Sequence, residues 1–190
     1  VSISLQKGGQ INLSKEAPSL QKAGIGLGWD INEAQSGTAF DLDASVFMLG
    51  PNGKITNEQF FIFYNNLKSP DGSVEHFGDS RTGEGSGDDE VIELDLTCIS
   101  PIVEELIFVV TIHDYQTRRQ NFGQVNNAFI RIYDATTDKE VMKYVLTEQF
   151  SQETAVEFGR IFKQNKEWRF QAVGQGYYAG LQEFVDKYAS

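Results

Sequence analysis

Two aspartates, Asp41 and Asp43, open an apolar run in Phe40-Asp41-Leu42-Asp43-Ala44-Ser45. Alternate residues of a strand share a face, so Asp41, Asp43 and Ser45 lie opposite Phe40, Leu42 and Ala44. The two carboxylates then stand roughly 6–7 Å apart. Their repulsion is on the order of 2–3 kcal/mol at an effective dielectric of about 20. A second acidic run, Asp88-Asp89-Glu90, and the single acids Asp30, Asp71, Asp79 and Asp114 add further carboxylates, and Asn65-Asn66 adds amide oxygens. A divalent cation would relieve that repulsion. Calcium suits an all-oxygen donor set, because it takes six to eight oxygens at about 2.3–2.6 Å in flexible geometry. Magnesium keeps its waters and uses one or two carboxylates, so it fits less well. With two His and one Cys in the chain, zinc, copper and nickel lack their preferred ligands. An EF-hand is excluded, since Val46 stands where the loop glycine belongs and no helices flank the run.

The elements that must position these residues read mostly as short strands. Ser2–Leu5 and Ile11–Leu13 alternate around Gly8-Gly9 and predict a hairpin. Gly24–Trp29 is a Gly-rich strand ending at Asp30, and Phe40–Leu49 and Phe60–Tyr64 flank the turn Pro51-Asn52-Gly53. Residues 67–90 read as a long polar loop, and taken alone such a stretch is a solvated surface. Val91–Leu96 alternates strictly, and Ser100-Pro101 predicts a helical turn to Glu105. Leu106–Ile112, Ala128–Tyr133, Val141–Leu146 and Trp168–Val173 are further strands. Ala155, Phe158 and Phe162 are spaced for a helix over 152–163. Gly174–Gly180 reads as a turn into a C-terminal amphipathic helix carrying Leu181, Phe184, Val185 and Tyr188. About ten strands and two or three short helices predict a mainly β fold, a two-sheet antiparallel β-sandwich, as one domain over residues 1–190.

If sequential strands pair as antiparallel hairpins, one end of the sandwich collects the acids. Strand 24–29 delivers Asp30 there, strand 40–49 starts there with Asp41 and Asp43, and strand 60–64 returns Asn65 and Asn66. The 67–90 loop brings Asp71, Asp79 and Asp88–Glu90, and strand 106–112 returns Asp114. The opposite end carries less acid.

A net charge of −11 disfavours nucleic acid as a partner. Cys98, the single cysteine, sits among apolar neighbours and reads as a buried thiol, with no intramolecular disulfide possible. No apolar run approaches a membrane span and no signal-peptide layout opens the chain, so a cytoplasmic location is expected. His113-Asp114 could serve as a base with its orienting carboxylate, which leaves a metal-assisted hydrolase or a nucleotide-binding protein as the alternative function. Arg118-Arg119 either offsets nearby carboxylates or contacts an anionic ligand or lipid.

Across Gly26–Asp30, Phe40–Ser45, Phe61–Asn66, Gly83–Glu90, Thr111–Asp114, Gln120–Ile130 and Ala172–Gly180, the chain resembles the tellurium-resistance (TerD-type) family. The resemblance runs in order along essentially the whole chain. It implies a calcium-binding β-sandwich of the bacterial stress response, tied to resistance to tellurite, some phages and some colicins. It implies calcium ligands at Asp41, Asp43, Asn65, Asp79, Asp88, Asp89 and Glu90, whereas Asp30, Asn66, Asp71 and Asp114 are candidates by topology. Two calcium ions are expected. So is a monomeric, non-enzymatic protein that docks other stress-response proteins or the inner membrane surface when calcium fills the acidic pole.

Overall fold

The computed structural model describes residues 2–31, 42–79, 87–147 and 150–189. The chain folds into two six-stranded sheets packed as a sandwich. One sheet runs β1 (Ile3–Leu5), β10 (Glu140–Val145), β9 (Val125–Asp134), β3 (Lys22–Ile31), β7 (Glu90–Asp95) and β6 (Val74–Asp79). The other runs β2 (Gln10–Asn12), β12 (Glu167–Tyr177), β11 (Ala155–Gln164), β8 (Glu105–Ile112), β4 (Leu42–Leu49) and β5 (Phe61–Ile62). Every pairing is antiparallel except β1 with β10. Among the described residues three α-helices complete the fold: α1 (Leu13–Glu16), α2 (Tyr115–Arg118) and the C-terminal α3 (Leu181–Ala189). Among the described residues no helix is long and apolar enough to cross a membrane.

Burial follows residue parity. In β7, Glu90, Ile92 and Leu94 are buried while Val91, Glu93 and Asp95 are half-exposed, so one face of the strand packs inward. Strand β8 is buried on both faces from Leu106 to Ile112, because the second sheet has its outer face covered as well. There α3 lays Phe184 and Tyr188 over Phe47, with ring centroids 6.4 and 5.0 Å away. Phe47 in turn stacks on Phe61 at 4.6 Å.

Several expectations are corrected. The first two strands do not form a hairpin: β1 joins one sheet beside β10, and β2 joins the other beside β12. Residues 152–163 hold no helix, because β11 occupies 155–164. A bulge between Glu157 and Gly159 shifts its inward phase by one residue, so a strand acquires apolar spacing that mimics a helix. Residues 174–177 continue β12 rather than turning. Only Pro101 and Ile102 turn after Ser100, and Glu105 already begins β8. The 67–90 stretch contains strand β6. Cys98 is exposed rather than buried, since it lies on the turn after β7, past the last inward position.

Under α3 the fold buries a carboxylate, Glu157, at 7% exposure. Its polar contact is a long one, 3.5 Å from Tyr177 Oη. Burial raises its pKa, and Lys187 only partly offsets this. A carboxyl whose pKa is raised by folding contributes stability that is full below the unfolded pKa and lost as pH rises through the folded one. Glu157→Gln is therefore expected to stabilise the protein at pH 7 by about 1 kcal/mol. The gain should vanish as pH falls toward about 4, which urea melts across pH would read. An equal gain at both pH values would show that burial of the charge is not its source.

Candidate metal centre

The ends of β3, β6, β8 and β12 and the starts of β4, β7, β9 and β11 meet at one pole of the sandwich. Register shows this within each sheet: Leu27 pairs with Glu90, Ile31 with Val125, Leu42 with Ile112, and Ala155 with both Thr111 and Tyr177. Two atoms of Glu90's neighbourhood join the sheets there. Ala44 N–H donates to Glu90 Oε2 at 2.9 Å, and His76 Nε2 stands 3.1 Å from the same oxygen and 3.0 Å from the Ala44 carbonyl. Gly78 N–H donates to His76 Nδ1 at 2.9 Å. Burial lowers the imidazole pKa, but the Glu90 hydrogen bond and charge outweigh it, helped by Asp43, so the net shift is upward.

The three consecutive acids do different work. Asp88 is claimed by Arg131, whose Nε and Nη2 reach its carboxylate at 2.8–3.1 Å. Burial lowers the Arg131 pKa, and the Asp88 hydrogen bonds and charge more than restore it. That pair lies across Gly26, where an added Cβ would come 2.3 Å from the Asp88 carboxylate. Gly24 and Gly28, on the same face of β3, give the same room to the rings of Tyr133 and Phe129. The Gly-x-Gly-x-Gly spacing is therefore a bed for larger neighbours, with Arg131 also 4.3 Å over the Tyr133 ring. Asp89 Oδ2 accepts Trp29 N–H at 2.8 Å, and Glu90 makes the inter-sheet contact.

Asp43 stands at the start of β4 opposite Thr111, half-exposed. With His113 and Asp114 it lines a cavity of about 160 Å³. Asp30 is at the pole, where its Oδ2 accepts Asn127 Nδ2–H at 2.8 Å. Asn65 is an exposed turn residue, and Asn66 spends its NH2 on the Gln59 and Phe61 carbonyls at 3.0 and 2.8 Å. Strand β6 ends with Asp79, opposite Glu90. Asp41 and the Asp79 side chain lie outside the described residues.

Asp71 is at the other end of the molecule. Its carboxylate accepts Ser69 Oγ–H, Ser73 N–H and Oγ–H, and Ser100 N–H at 2.6–3.0 Å, and these bonds hold its pKa low against burial. The hairpin 67–79 is the reason: it leaves the pole, turns at 70–72 and returns as β6. Ser45 is also not at the polar surface, being fully buried in β4.

Among the described residues no three His, Cys, Asp or Glu side chains converge as a metal site. The acidic side chains placed at this pole, Asp30, Asp43, Asp89, Glu90 and Asp114, offer hard oxygens of the kind calcium takes. Both nitrogens of His76, the nearby softer ligand, are already engaged. The residue types present at this pole fit a hard cation. His76, Arg131 and the Trp29 and Ala44 amides went unrecognised in the sequence. Parity was the usable signal, since Val74 and His76 share one face of β6 just as Glu90, Ile92 and Leu94 share one face of β7.

The TerD domain family matches residues 1–188. A tellurium resistance protein TerD from Serratia marcescens is 53% identical, covering 99% of this chain and 97% of that one. General stress protein 16U of Bacillus subtilis is 46% identical over 99% and 97% of the two chains. The crystal structure of a homologue of telluride resistance protein (TerD) from Streptomyces coelicolor A3(2) superposes with a TM-score of 0.66 at 21% identity, over 88% of this chain and 96% of that one. On the strength of a match from end to end, this chain belongs to the TerD-domain family.

Proposed function

We propose that the chain is a non-enzymatic, calcium-binding protein of the bacterial stress response connected with tellurite resistance. Its acidic pole, once filled by calcium, acts as a docking surface for a partner protein or the inner membrane surface. The observation that supports the reading is that Asp43, Asp89 and Glu90 all stand at one pole, where the Trp29 and Ala44 amides fix Asp89 and Glu90. The names of the relatives support the stress and resistance setting. Bound calcium would supply positive charge to a surface that otherwise repels anions. Asp43 and Asp89 are the side chains expected to hold it, and Glu90 to position the segment behind them.

Calorimetric titration of the chelator-treated chain with calcium and with magnesium tests this. Asp43→Asn/Asp89→Asn is expected to weaken calcium binding about a hundredfold, or about 2.8 kcal/mol. Magnesium should bind more weakly than calcium to the unsubstituted chain. Silence at about 1 mM calcium would remove the metal from the account. Sedimentation with anionic vesicles, with and without calcium, then separates a membrane surface from a protein partner.

A further inference from the structure

Beside the acidic pole a second cavity opens between α2 and the strand-to-helix link after β12. It encloses about 420 Å³, within the range of small-molecule sites. Its lining differs in kind from the rest of the pole. Tyr178, 71% exposed, meets Tyr115 edge to face with ring centroids 5.8 Å apart. Gln116, Asn121 and Gln152 contribute neutral amides, and Arg119 contributes a guanidinium. Among the described residues no carboxylate lines it, although the chain carries 27 Asp and Glu. Asp114, next to Tyr115 in sequence, lines the adjoining cavity instead, and Glu153, next to Gln152, turns its Oε2 back onto the Ser151 and Gln152 amides. Among the described residues Arg119 makes no ion pair.

Each lining group selects a different part of a ligand. An exposed tyrosine ring at a cavity mouth is a stacking platform for a flat ring. Amide side chains both donate and accept, which matches the mixed edge of a nucleobase. An Arg without a carboxylate partner recognises phosphate through its planar fork of donors. Asn121 Oδ1 already accepts Gly123 N–H, which leaves its NH2 as a donor. The backbone also holds Arg119 at φ 53°, in the left-handed region that costs a non-glycine residue free energy. That conformation ends α2 at Arg119, which lines the cavity.

We propose that this cavity binds a nucleoside monophosphate, its base against Tyr178 and its phosphate on Arg119. The proposal does not rest on the calcium reading, because no candidate calcium ligand lines the cavity. Calorimetric titration with adenosine and guanosine monophosphates, in chelator and without divalent cations, tests it on the full chain. Binding at or below about 1 mM is expected. Arg119→Ala and Tyr178→Ala should each weaken it about tenfold or more. Both residues are exposed, and thermal melts of the variants verify that the fold is retained. Inorganic phosphate and ribose 5-phosphate should bind at least about tenfold more weakly than the nucleotide. Absence of nucleotide binding, binding indifferent to both substitutions, or equal binding of inorganic phosphate would each overturn the proposal. Loss of calcium binding in the Asp43→Asn/Asp89→Asn chain should leave nucleotide affinity unchanged, so the two readings fail separately.

Discussion

Glu90→Ala is expected to destabilise the protein by about 3–5 kcal/mol, the cost of removing one partner from a buried charged contact. The carboxylate is 5% exposed and serves both sheets at once. It accepts the Ala44 amide of β4 and faces His76 of β6. Alanine would leave a buried N–H without its acceptor, a desolvation penalty with no compensating gain. It would also remove the main influence that raises the His76 pKa. A group whose pKa is raised by folding contributes stability that is full below the unfolded value near 6.5 and lost as pH rises through the folded value. Taking up that second proton breaks the Gly78 bond to Nδ1, so part of the gain is offset. Glu90→Gln should cost less than alanine, because its amide oxygen still accepts Ala44 N–H. Chemical denaturation of both variants, with an NMR titration of His76, measures these effects. An alanine variant within about 0.5 kcal/mol of the unsubstituted chain would mean that the inter-sheet bond is not a stabilising contact.

The second large effect is expected at Gly26. Gly26→Val should cost about 3 kcal/mol or more. Even the first added carbon would meet the Asp88 carboxylate at 2.3 Å. Asp88 cannot simply swing aside, because Arg131 grips it through three contacts. The displacement would travel along the backbone to Asp89 and Glu90, so calcium binding should weaken together with stability. Gly8→Ala separates sterics from helpless backbone, since nothing lies within 4 Å of a Cβ there but φ is +83°. Its cost should be about 1 kcal/mol, with calcium affinity unchanged. If Gly26→Val melts like the unsubstituted chain, the glycine bed beneath Asp88 is not tightly packed.

The sandwich was legible because inward parity and turn residues are local properties. The alternation of Val91–Leu96 and the apolar run Leu106–Ile112 fix strands whatever surrounds them. Pairing was not legible, since it depends on which edges meet. Consecutive strands β3 and β4, and likewise β7 and β8, enter different sheets. Among the described residues Asp30, Asp43, Asp88, Asp89, Glu90 and Asp114 lie at one pole all the same, because neighbouring strands in both sheets alternate direction. Asp71 does not. An unseen strand, β6, reverses the chain and sends that residue to the far end, where three serines bind it.

By itself, the sequence determined the fold class, the carboxylate-rich character of one pole and the positions of most strands, because periodicity and side-chain chemistry are carried by neighbouring residues. Only the tertiary structure decided that Asp88 serves Arg131, that Glu90 serves the opposite sheet, and that His76 stands behind the pole. Those roles depend on partners 43, 46 and 14 residues away in the chain. A carboxylate's chemistry is local, but what neutralises it is whatever the fold brings within about 3 Å.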